Sequence, residues 1–175
     1  MPPKPVEAGL TSQAVARNLR AICADQKLSL RKLAERMPED RALTHTQLSA
    51  IQRGTRTVSV DDLTAIAVGL GVSPITLLIP PLPEGLPDER EARAKAPVAL
   101  TGTGPTWAVR AVAWLQGTVP IDFAPRDAAE RSFLVEKFRR KSLPWWAFPD
   151  PKIDPAADLS DGVESVPDGG MGVPE

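Results

Sequence analysis

Cysteine and histidine each occur once in these 175 residues. A single thiol cannot form an internal disulfide, which suits a reducing compartment, so the chain is expected in the cytoplasm. One thiol and one imidazole are too few for a dedicated metal site, and no cofactor is expected. No apolar run approaches the roughly 18 residues of a membrane span. The opening residues MPPKPVEAG lack the apolar stretch of a signal peptide, so no membrane partner is expected. There is no internal repeat, no Ser/His/Asp arrangement and no carboxylate pair in a pocket motif, and an enzyme is not expected. The Gly-x-Gly of LTGTGP (100–105) runs into proline without the Lys-Ser/Thr of a phosphate loop, so it does not read as a nucleotide site.

Net charge is also small, at −1, but its distribution is uneven. Residues 13–57 hold nine Lys/Arg against four Asp/Glu, residues 105–149 seven against four, and residues 150–175 one against seven. A basic body and an acidic tail cancel in the total, and that asymmetry is the useful signal.

What the chain does contain is a series of helix signals. Val15, Leu19, Ile22 and Cys23 fall at helical spacing in a helix over 11–26 capped by Thr11 or Ser12. Cys23 is thus expected as a buried thiol rather than a redox group. Ser29 caps a second helix with Leu30, Leu33, Ala34 and Met37 on one face, stopped by Pro38. After the polar turn PEDRAL, Thr44-x-x-Gln47 has the form of a capping box, with Leu48 and Ile51 inward and Gly54 closing the helix. Ser59-x-x-Asp62 repeats that form ahead of Leu63, Ile66, Ala67 and Leu70, and the box together with the helix dipole accounts for Asp61 and Asp62. Ser73-Pro74 opens a short helix through Leu78. The expectation is therefore an all-α fold, with five helices over residues 11–80 following a flexible arm at 1–10. PPLPEGLP (80–87) marks a boundary, and residues 81–104 read as a linker with a short extended piece at Val98–Leu100. Residues 105–149 read as a helical module with helices over 106–116 and 126–141, and residues 150–175 as a disordered acidic tail.

The third helix raises the functional question. Its inward anchors leave His45, Thr46, Ser49, Ala50 and Arg53 facing out, an array of short polar and small side chains that mere packing would not require. Hydroxyls and amides near a helix start suit the edges of bases in a major groove. Exposed N–H groups and arginines suit phosphates. Gln47 has two tasks open to it, closing the capping box or pairing with a base.

In LSLRKLAERM (28–37) and THTQLSAIQRGTRTVSVDDLTAIAVGLGVSPITLLI (44–79), the chain resembles the Xre/Cro family of lambda-repressor-like helix-turn-helix regulators. The resemblance covers residues 11–80 and implies a five-helix domain that binds double-stranded DNA as a homodimer. It implies groove-facing roles for His45, Thr46, Ser49 and Ala50, and positions near phosphates for Ser29, Arg53 and Arg56. Gln47 stays a candidate base contact beside its capping task, and Arg31 is a further candidate phosphate contact. PEDRAL is about four residues longer than the short turn usual in such motifs. Leu30 stands where many members have a phosphate-binding Gln, and Gln52 stands where Glu is common.

The resemblance implies a transcriptional regulator, with a repressor acting by promoter occlusion as the leading form. The alternative is an antitoxin or interaction module that binds a partner protein through its C-terminal aromatics. Trp107, Trp114, Trp145, Trp146 and Phe148 either pack on one another or form a self-association or partner surface. FRRKS (138–142) is either a further phosphate contact or a cationic helix C-terminus. The acidic tail is either a solvated end or a competitor for the basic face.

Overall fold

The computed structural model describes residues 8–148. Residues 1–7 of the expected arm and the whole expected tail at 150–175 lie outside the described residues. The chain divides into two units, one through Ser142 and one from Leu143.

Five helices occupy the first part of the chain: α1 (Leu10–Asp25), α2 (Leu30–Glu35), α3 (His45–Gln52), α4 (Val60–Leu70) and α5 (Pro74–Leu78). Their starts follow local hydroxyl chemistry. Ser29 Oγ accepts from the Lys32 amide at 3.3 Å, and Ser73 Oγ accepts from the Ile75 amide at 3.3 Å ahead of Pro74. Thr44 and Ser59 close full capping boxes with Gln47 and Asp62. Such caps satisfy helix N–H groups that have no intrahelical acceptor. Gly71 ends α4 in the left-handed region, at φ 67°, which costs a residue without Cβ little.

These helices enclose an aliphatic core. Val15, Leu19 and Cys23 of α1 meet Leu33 of α2, Leu48 and Ile51 of α3, Ile66 and Leu70 of α4, and Leu77 of α5. Every Phe and Trp of the chain lies beyond residue 105, so this interior holds no aromatic ring and is filled mainly by branched aliphatic side chains, with Cys23, Met37, Ala65 and Ala67 among them. A fully buried Leu or Ile contributes about 1.5–3 kcal/mol by leaving water. Leu28, Leu43 and Leu77 also join the core. They lie in turns or in a helix of one turn, where periodicity carries no signal. Helices α2 and α4 approach closely at Gly69, where a Cβ would meet Leu33 Cδ1 at 3.1 Å and Met37 Sδ at 3.2 Å.

Polar side chains tie α1 to its neighbours. Asn18 Nδ2 donates towards the carbonyls of Thr76, Leu77 and Ile79 at 3.3, 2.9 and 2.7 Å. Those oxygens at and beyond the end of α5 lack intrahelical donors. Gln26 Nε2 likewise donates to Leu70 O at 3.0 Å, at the end of α4.

The fold is mostly helical with one small antiparallel hairpin, which corrects the all-α expectation. Strands β1 (Pro97–Leu100) and β2 (Gly104–Trp107) pair from Pro97↔Trp107 to Leu100↔Gly104. Both strands of a two-stranded ribbon are edges, so Pro97 and Pro105 are tolerated there although proline cannot donate to the ladder. Four-residue strands containing proline give almost no alternation to read. Within residues 81–104, expected as a linker with a short extended piece at Val98–Leu100, β1 falls on that piece and α6 (Arg90–Ala94) is the unexpected element. Trp107 belongs to β2, so α7 begins two residues later than expected and spans Ala108–Leu115.

The hairpin packs on α1 and α7. Its turn also supplies a cap that α1 lacks locally. The N-cap of α1 is Gly9, which has no side chain to accept with, in place of the expected Thr11 or Ser12. Thr101 Oγ1 accepts from the Thr11 amide at 3.2 Å, and Thr11 Oγ1 accepts from the Thr101 amide at 3.0 Å. A Cβ at position 9 would lie 2.7 Å from Thr101 Oγ1, so the approach requires glycine.

Helix α8 (Ala128–Ser142) has no buried residue. Asp127 Oδ1 accepts from the Glu130 amide at 2.8 Å, and Arg126–Glu130 and Arg140–Glu136 pairs brace the helix. The described part of the second unit is a short 3-10 turn at Trp145–Ala147, in which Trp145 and Trp146 are exposed.

Candidate nucleic-acid interface

Helix α3 is two turns long, and its two faces differ sharply. Leu48 and Ile51 are 0% and 1% exposed and anchor it in the core. His45 and Thr46 are exposed at its N-terminal end, while Ser49 and Ala50 are half-buried further along. Arg53, the C-cap residue, is exposed. Ser29 and Arg31 are exposed at the start of α2, with the Ser29 hydroxyl engaged in its cap.

Gln47 is half-buried and closes the capping box. Its Oε1 accepts from the Thr44 amide at 2.9 Å, while Thr44 Oγ1 accepts from the Gln47 amide at 3.3 Å. With its oxygen committed to the cap, the side chain has its amide NH2 to offer another partner. The first turn of α3 is therefore held rigidly just where His45 and Thr46 project.

The C-terminal end of α3 is held from elsewhere. Arg20 of α1 donates through NH2 to Gln52 O at 2.7 Å, and Thr55 donates to Ala50 O through its amide at 3.0 Å and its hydroxyl at 3.1 Å. These bonds satisfy carbonyls that the helix leaves open. No local pattern marks Arg20 for this role, because its partner is 32 residues away.

Asp62 does more than its capping box required. Its side chain is 2% exposed, and Oδ1 accepts from Arg41 NH2 at 2.7 Å and Nε at 2.9 Å. Oδ2 accepts from Arg56 NH2 at 3.0 Å and from the Ser59 amide at 3.4 Å. Burial opposes ionisation here, but the Arg41 hydrogen bonds, the Ser59 amide and the charges of Arg56 and Arg41 outweigh it and hold the carboxyl below its ordinary value. Arg41 lies in the 3-10 turn Glu39–Arg41 that forms the core of the lengthened turn. Arg56, expected at a phosphate, has one NH2 group already engaged by Asp62. Of this network the sequence signalled only the Ser59–Asp62 box.

Trp107 is 54% exposed and Trp114 is half-buried. Trp145 and Trp146 are exposed and Phe148 is half-buried. In FRRKS, Phe138 is half-buried and Arg139, Arg140 and Lys141 are exposed in the last turn of α8. The Cys23 thiol lies in the core, and burial pushes its pKa up. Among the described residues, no group of three or more His, Cys, Asp or Glu could hold a metal ion, and no helix is long and apolar enough to cross a membrane.

No protein-family model matches the chain, and no curated protein matches it. Among solved structures, the chain is similar to the crystal structure of a hypothetical transcription factor, NHTF, from Neisseria. The two share 28% identity at a TM-score of 0.37, over 46% of this chain and 88% of that one. The likeness is loose, and it transfers no residue roles.

Proposed function

We propose that the chain is a sequence-specific double-stranded DNA-binding regulator of the Xre/Cro type, acting chiefly as a repressor by promoter occlusion. The observation that carries this reading is the two-faced helix α3. Leu48 and Ile51 hold it to the core while His45 and Thr46 stand exposed over a rigidly capped first turn. His45, Thr46, Ser49 and Ala50 are the base-reading residues, with Gln47 contributing only through its amide NH2. The Ala50 methyl suits a thymine methyl. Ser29, Arg31, Arg53 and Arg56 serve the phosphate backbone, Arg56 with the donors that Asp62 leaves to it. A homodimer sets two copies of α3 in successive major grooves, roughly 34 Å apart.

The test begins with duplexes selected from a random pool by the full chain. Thr46→Ala is expected to weaken binding to the selected site by about 1–3 kcal/mol while leaving random duplexes unaffected. Equal losses on both would remove Thr46 from base readout. Absence of duplex binding by the native chain at low ionic strength would overturn the reading as a whole.

A second reading has its own observation. An apolar groove of about 500 Å³ lies between the end of α5, α6 and α7, lined by Ile79, Leu82, Val109 and Val112. Val109 is 52% exposed there. An open apolar surface of this kind suits an interaction module or antitoxin. Recovery of a stoichiometric protein ligand that is lost with Val109→Asp would favour that reading.

A further inference from the structure

Both loops that flank α3 are tied to a single carboxylate. Arg41 precedes the cap residue Thr44 by three positions, and Arg56 follows the C-cap Arg53 by three. From opposite ends of α3 they converge on Asp62, in the first turn of α4, each guanidinium taking a different oxygen. Asp62 is in turn fixed to its own helix by reciprocal bonds with Ser59.

We propose that Asp62, through Arg41 and Arg56, is a positioning residue that sets the bearing of α3 on the bundle and hence how His45 and Thr46 meet a base edge. The inference rests on the DNA-binding reading for its functional half and on geometry alone for its structural half.

The reason lies in how few contacts orient this helix. At its C-terminal end Arg20 bonds to Gln52 O. Among the described residues, its N-terminal side has no other side-chain tie than the Thr44–Gln47 box within its own turn. Its apolar hold on the core is Leu48 and Ile51, three residues apart, or about 4.5 Å along the axis. Two such closely spaced anchors fix the depth of the helix better than its tilt. A tilt of about 10° about them moves an outward side chain by about 1 Å. Hydrogen bonds to base edges have a narrow range of length and angle, so a shift of that size breaks them. Salt-sensitive attraction to phosphates tolerates such a shift.

The turn before α3 makes the tie more necessary. Residues 36–43 separate α2 from the α3 cap, a span longer than the short turn of a tight helix pair. Its interior is a single 3-10 turn with no side-chain cap of its own. The fork of Arg41, with Nε and NH2 on the same carboxylate oxygen, joins that turn to α4. A planar guanidinium holds such geometry better than a point charge.

Arg41→Gln in the full chain is the appropriate probe, because Arg41 is outside the set assigned to DNA. Residual dipolar couplings of backbone amides would report the orientation of α3 relative to α1, α4 and α5. In the variant the α3 couplings are expected to depart from the native orientation while those of the other three helices keep it. Binding to the selected duplex should weaken about tenfold. Binding to a scrambled duplex should stay within about twofold, with an unchanged salt slope.

Native α3 orientation in Arg41→Gln would overturn the proposal. A salt slope reduced by about one unit would also do so, by making Arg41 a phosphate ligand. Should Arg41→Gln fail to fold, Arg41→Lys keeps the charge without the fork, and its α3 couplings decide the question. A native chain that binds no duplex sinks the DNA reading, and the couplings then decide the structural half by themselves.

Discussion

Replacing Asp62 by Asn removes one charge from the best-buried polar group of the described fold and changes its shape very little. The magnitude follows from its contacts. Asp62 accepts two bonds from Arg41 and one from Arg56, all at 3.0 Å or less. Hydrogen bonds to charged partners are worth about 1.5–3 kcal/mol each, and breaking a fully buried ion pair costs about 3–5 kcal/mol. Here the arginine side chains are 43% and 28% exposed, so both regain water when the carboxylate is lost. Solvent screening therefore lowers the cost to about 2–4 kcal/mol. Asn also turns an NH2 towards one of the guanidinium groups, which keeps the loss from falling lower.

At about 2–4 °C per kcal/mol for a chain of this size, Tm should drop by roughly 9 °C at pH 7. Thermal denaturation followed by circular dichroism, repeated across pH, would read this directly. The folded-state pKa of Asp62 is depressed, so its stabilisation is complete above the unfolded carboxylate value of about 4. It is lost as pH falls through the lower folded value. The gap between native and variant is therefore full at neutral pH and closes in strong acid. A gap under about 1 kcal/mol at pH 7, or one equally wide in acid, would refute the reasoning. Asp61→Asn is the control: its side chain is exposed, and a change within about 0.5 kcal/mol is expected.

Two further predictions concern contacts made at long range. Asn18→Ala removes the donor shared by the carbonyls of Thr76, Leu77 and Ile79, and should cost about 1–3 kcal/mol in urea unfolding; an unchanged midpoint would show that water replaces it freely. Gly9→Ala drives a methyl into Thr101 Oγ1, and should speed hydrogen exchange at the Thr11 and Thr101 amides while leaving the Leu19 amide protected. Unaltered exchange at both threonines would show that the hairpin yields without losing the cap.

The parts of this molecule legible in its sequence are those whose physics is local. A hydroxyl accepting from an amide two or three residues on acts within one turn of chain, and Ser29, Thr44, Ser59 and Ser73 all cap as their spacing predicted. Helical periodicity is equally local, and it marked Val15, Leu19, Cys23, Leu33, Leu48, Ile51, Ile66 and Leu70 as interior. It failed at Leu28 and Leu43, which pack from turns, and at the pairing strand β2, whose proline-bearing four residues are too short to alternate; of the hairpin only the extended piece at Val98–Leu100 was legible. Within the candidate site, the outward array on α3 was legible because its complement, the inward pair Leu48 and Ile51, was.

Local spacing was enough to locate each of the first five helices, to say which face of α3 turns inward, and to show that Gln47 could return to Thr44. That Thr101, ninety residues away, caps α1 in place of a local hydroxyl became visible only in the folded chain. The same holds for the ends of α3, which answer to Arg20 and, through Arg41 and Arg56, to Asp62. A cap or an amphipathic face depends on spacing along the chain. An acceptor shared by groups remote in sequence exists only after folding has brought them to hydrogen-bonding distance, and no local pattern carries that information.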